Sequence, residues 1–143
     1  MESIEERAVR FFNSGYNCAE SVLKAVAESI GTDIGDVQRV ATAFGGGIAR
    51  QGYTCGCLSG AAMAVGLLAG RTSPEDLPGK ERVYETVVRL FEKFKKQAGA
   101  ESCREISGLT FDQPTHLNVC CPLVGFAARI ASEEISTLQN KRG

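Results

Sequence analysis

GYTCGCLSGAAMAVGLLAG, residues 52–70, carries no charge, and arginines stand on either side of it at Arg50 and Arg71. A helix built from Gly, Ala, Ser and medium aliphatics has no polar face to turn to water, so the stretch reads as a buried helix with the rest of the chain packed around it. About 20 uncharged residues would also reach across a bilayer. Against that stand Gln51, Tyr53, Thr54, Ser59, the repeated glycines and the lack of a second apolar span, so no membrane span is expected. Gly56, Gly60 and Ala64 recur every four positions, which lets a neighbouring helix backbone come close.

Working outward, Thr54 is the expected cap of this helix, with Cys55 its first residue and Gly70 and Arg71 its end. Upstream, Ile4, Ala8, Phe11 and Phe12 mark one face of a first helix that stops near Ser14 and Gly15. Asn17 caps a second, with Glu20 in the capping-box position and Ala19, Val22, Leu23, Val26 and Ala27 as its apolar stripe up to Gly31. Asp33–Ala43 can form a third short helix, closed by the glycines of FGGG, residues 44–47. Those glycines are not followed by Gly-Lys-Ser/Thr and follow no strand, so they read as a turn passing close to another part of the chain, not as a phosphate loop.

Downstream, Pro78 and Gly79 interrupt the start at Thr72–Glu75, so the long helix is expected from near Lys80 to Ala98 and Gly99. Val83, Val87, Leu90, Phe91 and Phe94 form its buried face, with Glu85/Arg89 and Glu92/Lys96 pairs on the wet side. Ser102 and Glu105 form a capping box for a short helix ending at Gly108. After the loop LTFDQPTH, Asn118 is the expected cap of the last helix, with Pro122 in its first turn and Leu123, Phe126, Ala127, Ile130 and Ile135 facing the core. No segment alternates as a strand does. The expectation is one all-α domain over residues 1–143, a compact bundle of five or six helices around the Gly/Ala-rich one.

With 16 Lys+Arg against 17 Asp+Glu, the chain has no charge bias that would select nucleic acid or an anionic membrane. Its opening, ESIEERAVRFFNSG, is amphipathic and charged instead of a basic segment followed by an apolar one, so the cytoplasm is the expected compartment. Six cysteines in a reducing compartment suggest metal ligands or redox-active thiols more readily than permanent bridges.

Every cysteine falls in the first turn of an expected helix, behind a capping residue: Asn17-Cys18, Thr54-Cys55-Gly56-Cys57, Ser102-Cys103 and Asn118-Val119-Cys120-Cys121. Helix N-termini offer free N–H groups and partial positive charge, which favour the thiolate. One terminus contributes about 0.3–1 kcal/mol, under about one pKa unit, so a dipole alone does not make an ordinary cysteine strongly acidic. Gathered thiolates repel each other, and that is relieved either by a bound metal or iron–sulfur cluster or by dithiols that cycle to disulfides. Spacing leaves both open, because the C-x₂-C pairs of zinc and ferredoxin sites are missing. Within one helix Cys55 and Cys57 would lie about 200° apart, and Cys120 and Cys121 about 100°, so one of each pair is expected to stand aside. His116, alone beside a proline loop, reads as surface or structural.

The order GYNCAESV, FGGGIARQGYTCG with Gly60 three residues after Cys57, then CRE and a Cys-Pro in the last helix resembles the redox-active protein family named after its C_GCAxxG_C_C pattern. The resemblance spans about Glu6 to Glu134. It implies a cytoplasmic bacterial or archaeal all-α domain, often encoded near transporters, with a poorly defined activity. Its four cysteines fall on Cys18, Cys55, Cys103 and Cys121, the last because proline follows it. Cys57 stands where the family usually has alanine, and Cys120 is an addition.

The expected site is therefore Cys18, Cys55, Cys103 and Cys121, as redox-active thiols or as ligands of an iron–sulfur cluster or other soft metal, with Cys57 and Cys120 as the less favoured alternates. A redox partner, a transporter association and a homodimer are further expectations. The competing reading is a structural or transporter-associated binding module in which the cysteines are small core residues. A cysteine hydrolase is weaker, since His116 is the only histidine and no triad motif accompanies it.

Overall fold

Capping chemistry sets the first two helices. Ser3 Oγ accepts from the Glu6 N–H and the Glu6 carboxylate accepts from the Ser3 N–H, starting α1, Ile4–Asn13. Asn17 and Glu20 make the same reciprocal pair at the start of α2, Cys18–Ser29, which leaves Cys18 as its first residue. The computed structural model describes residues 1–142, and among them seven helices form and the only strand-like pairing is one isolated bridge. The fold is all-α.

After α2, Asp33 Oδ1 takes the Gly35 N–H, and Gly35 has φ 49°. That local turn delays the next helix, so the expected α-helix over 33–43 is a 3₁₀ helix, Val37–Phe44. The uncharged stretch forms α3, Gly56–Ala69, one residue later than expected: Cys55, with φ −53° and ψ 132°, is its N-cap, and Thr54 is held outside in the bridge. The long helix α4, Leu77–Ala98, starts three residues before Lys80. Pro78 lies in its first turn, where no N–H is needed, and Asp76 Oδ1 accepts from the Gly79 N–H. α5, Cys103–Ser107, is capped by Ser102 as expected.

The largest difference is at the last helix. α6 runs Pro114–Arg142, four residues ahead of the expected Asn118 start, with Pro114 opening it and Pro122 well inside. Proline at a first helical position sacrifices no hydrogen bond, and packing against the body of the protein outweighs the local cost of Pro122, about 3 kcal/mol in an isolated helix. α6 packs on α1, α2, α3 and α4, and α3 packs on α2 and α4 as well. Leu23, Leu58, Val65, Leu90, Phe94, Val124 and Ile135 are fully buried between them. No described helix is long and apolar enough to cross a membrane.

The approach of α2 and α3 depends on glycine: a Cβ on Gly60 would stand 2.5 Å from the Ala19 carbonyl oxygen, and one on Gly56 would overlap Cys18 Sγ. Arg89 does not pair with Glu85. It reaches across to Glu134 of α6 at 3.0 Å, and Lys93 joins at 2.8 Å, so a buried carboxylate ties α6 to α4.

Candidate functional site

Five of the six cysteines meet at one small cavity. Cys18, Cys55, Cys57, Cys103 and Cys120 line it together with His116, Ser107 and Leu123. Its volume is about 20 Å³, room for about one water-sized occupant.

Local backbone chemistry brings the helix starts together. The antiparallel bridge between Thr54 and Ser102 lets Cys55 N–H donate to the Glu101 carbonyl at 2.8 Å and Cys103 N–H to the Tyr53 carbonyl at 2.6 Å, which sets Cys55 and Cys103 side by side. Gly47 lies under this bridge, where a Cβ would come within 2.7 Å of Cys103 Cβ. On the other side Gly56 touches Cys18, so α2 delivers its cysteine directly onto the start of α3.

The segment joining the 3₁₀ helix to this bridge has an uncommon backbone. Gly46, Gly47, Ile48, Ala49 and Arg50 all have positive φ, 68°, 68°, 68°, 49° and 64° in order. For Ile48, a β-branched residue, such a conformation costs about 1–3 kcal/mol. Ala49 N–H to the Ala43 carbonyl at 2.8 Å and Tyr53 N–H to the Gly47 carbonyl at 2.9 Å hold it closed. The turn places the Gly46 N–H against Cys18 Sγ.

Cys18 is the acidic thiol of the group. The side chain of Cys57 hydrogen-bonds it, burial opposes, and the N–H groups of Gly46, Ala19 and Cys18 itself add to bring it down to about 7. Cys57 pays the complementary cost: its contacts with Cys18 and then Cys55 keep its proton on and push it well above its ordinary value. Burial raises Cys103, whose Sγ lies 3.4 Å from Ser107 Oγ, and raises Cys120 to about 12, with the neighbouring sulfurs adding to the effect.

Cys18 also lines a second, open pocket of about 390 Å³, shared with Phe12, Asn17, Arg50, Phe111 and His116. It is therefore the sulfur at the boundary between the buried cluster and solvent. His116 stands in both walls, with Nε2 at 3.6 Å from Cys120 Sγ and its ring edge-on to Phe111; burial lowers its pKa.

Of the residues singled out by sequence, Cys18, Cys55 and Cys103 come together and Cys121 does not. Its Sγ faces Asn13 Oδ1 of α1 at 3.7 Å, and Cys120 takes the inward position. Cys57 does not stand aside. The 200° separation from Cys55 applies within a helix, and Cys55 is outside it in extended backbone, so both reach the cavity. The early start of α6 moves His116 into its first turn, one turn before Cys120 on the same face. Stepping back by three or four residues from the buried Ile135, Ala131, Ala128 and Val124 lands on Cys120, a signal already present in the sequence.

Residues 16–134 match the family described as "Putative redox-active protein (C_GCAxxG_C_C)". The chain belongs to this family. Among curated proteins, a member of the proteome of Archaeoglobus fulgidus bearing the description "Uncharacterized protein" is 26% identical, covering 99% of this chain and 97% of that one. No solved structure is significantly similar. Within this redox-active family, Cys57 and Cys120 are the two thiols that the pattern's four cysteines did not lead us to expect at the centre.

Proposed function

We propose that the protein is a thiol–disulfide redox protein in which Cys18 is the attacking thiolate and Cys57 the resolving thiol. The observation that carries this is the position of Cys18: it lines an open pocket on one side and shares the buried sulfur cavity with Cys57 on the other. A thiol near 7 is about half thiolate at neutral pH while remaining a competent nucleophile, the balance that favours exchange. Membership of a redox-active family supports the same reading.

The soft donor set of sulfurs and an imidazole would suit zinc or iron, yet among the described residues no three His, Cys, Asp or Glu side chains are disposed to share one ion. The cavity of about 20 Å³ likewise leaves no room for a cluster of several atoms. The geometry therefore does not fit the metal-centre expectation, and no step is drawn through one.

The test is thiol counting on the full chain, purified without oxygen, before and after a mild disulfide oxidant. The expected result is loss of two thiols, with peptide mapping joining Cys18 to Cys57. Stoichiometric iron and sulfide in the anaerobic protein, or an unchanged thiol count, would overturn the assignment.

A further inference from the structure

The open pocket over Cys18 has a chemical bias of its own. Arg50 is its one fixed cation, exposed and, among the described residues, paired with no carboxylate; no acidic side chain lines the pocket. Glu20 is engaged behind the wall by the Asn17 N–H at 2.9 Å and the Thr42 hydroxyl at 2.8 Å, and Asp112, which shares an adjoining pocket with Arg50 and Phe111, forms no ion pair with Arg50. Phe12 and Phe111 supply apolar walls, and Asn17 and Thr42 supply polar edges. At about 390 Å³ the pocket is within the range of sites for small molecules, and it is concave where a protein partner would need a broader face. Arg50 is carried on the left-handed turn that also presents the Gly46 N–H to Cys18, so cation and nucleophile are fixed by the same five residues.

We infer that this pocket receives a low-molecular-weight disulfide bearing a carboxylate near its S–S bond, with Arg50 holding the carboxylate while one sulfur meets Cys18. The inference rests on the thiol–disulfide reading above and adds its substrate class. The Cys18 thiolate attacks one sulfur of R–S–S–R, the S–S bond breaks, and RS⁻ leaves with the electron pair, giving a mixed disulfide. Cys57 then gives up its proton and attacks Cys18 Sγ, releasing the second RS⁻, which takes that proton. One disulfide is reduced to RS⁻ and RSH, and the protein is oxidised by two electrons to a Cys18–Cys57 disulfide.

The experiment mixes the reduced full chain with three small disulfides of similar size and different charge: dithiodipropionate, hydroxyethyl disulfide and cystamine. Each oxidation rate is divided by that of a free small thiol with the same reagent. Dithiodipropionate is expected to be about three- to tenfold faster than hydroxyethyl disulfide, and cystamine slower by a similar factor. Arg50→Gln should flatten the series and Arg50→Glu should invert it. Arg50 is exposed, so a matching circular dichroism spectrum is expected of both variants. A charge order untouched by either substitution, or the same order in urea-unfolded protein, overturns the pocket inference while the exchange reading stands. Failure of all three to oxidise Cys18 overturns both.

Discussion

Cys57 sits against Cys18, and the contact drives the two thiols in opposite directions: Cys18 falls to about 7 and Cys57 rises well above the ordinary thiol. The rate of alkylation by iodoacetamide should therefore show one midpoint near pH 7 in the reduced folded protein. In Cys57→Ala that midpoint is expected to climb by about one unit or more, because the largest cause of the depression is gone and burial, which opposes ionisation, remains. The sign for stability follows. A depressed folded pKa contributes stability that is present above the unfolded value near 9.0 and is lost as pH falls through about 7. Cys57→Ala should therefore narrow the difference in stability between pH 9 and pH 6. A midpoint that stays near 7 would assign the depression to the backbone N–H groups alone.

Two glycines of α3 make opposite forecasts. Gly56→Ala puts a methyl into Cys18 Sγ and within 3.1 Å of the Phe44 carbonyl oxygen, so it is expected to destabilise by about 1–3 kcal/mol and to slow labelling of Cys18. A Cβ on Gly66, in the same helix, meets nothing within 4 Å. Gly66→Ala should stabilise by about 0.5–1 kcal/mol through helix propensity and leave Cys18 labelling unchanged. Thermal melts of the two variants beside wild type give the answer. Equal effects would remove the argument that α2 and α3 are held at a glycine-permitted distance.

Where the sequence was legible, a local cap and its first turn carried the information. Asn17 with Glu20, and Ser102 with Glu105, placed Cys18 and Cys103 to the residue. Where it was not, tertiary structure overrode the local signal. Asn118 has the chemistry of a cap, but Pro114 starts the helix and packing carries it past Pro122, which puts His116 in the first turn one turn before Cys120. The bridge between Thr54 and Ser102 joins residues 48 positions apart and has no sequence signature, yet it takes Cys55 out of α3 and admits Cys57 to the cluster. The run of positive φ was visible only in part, since its glycines announce a turn while Ile48, Ala49 and Arg50 do not.

Which of Cys120 and Cys121 serves the sulfur site is open to a direct measurement. Cys121 is half-buried, faces Asn13 of α1 and lies outside the sulfur cavity, so Cys121→Ala should leave the loss of two thiols on oxidation intact and cost about 1 kcal/mol or less. Cys120 is buried against His116 and the sulfur cavity, and truncating it to Ala removes a fully packed wall, at about 1–2 kcal/mol. The midpoint of Cys18 alkylation should not move in Cys120→Ala, because Cys120, raised to about 12, keeps its proton throughout the range in which Cys18 titrates. If Cys121→Ala abolished the oxidation while Cys120→Ala did not, the pattern's own fourth cysteine would be the functional one.

The tie between α4 and α6 predicts a stability that depends on acid. Burial alone would push the Glu134 carboxyl up, but Lys93 and Arg89 outweigh it and hold the group below its ordinary value. A depressed carboxylate contributes stability that is present above the unfolded pKa, near 4.5, and is lost as pH falls through the lower folded value. Arg89 and Lys93 are each about two-fifths exposed, so screening limits the contribution to about 1–2 kcal/mol at neutral pH. Glu134→Gln should therefore be less stable than wild type by that amount at pH 7, and urea melts should show the gap closing below about pH 4.5 as wild-type Glu134 takes up its proton. Added salt should narrow the gap only in part, because the carboxylate end is buried. A gap that holds constant down to about pH 3 would mean that the difference comes from amide packing and not from the charge on Glu134.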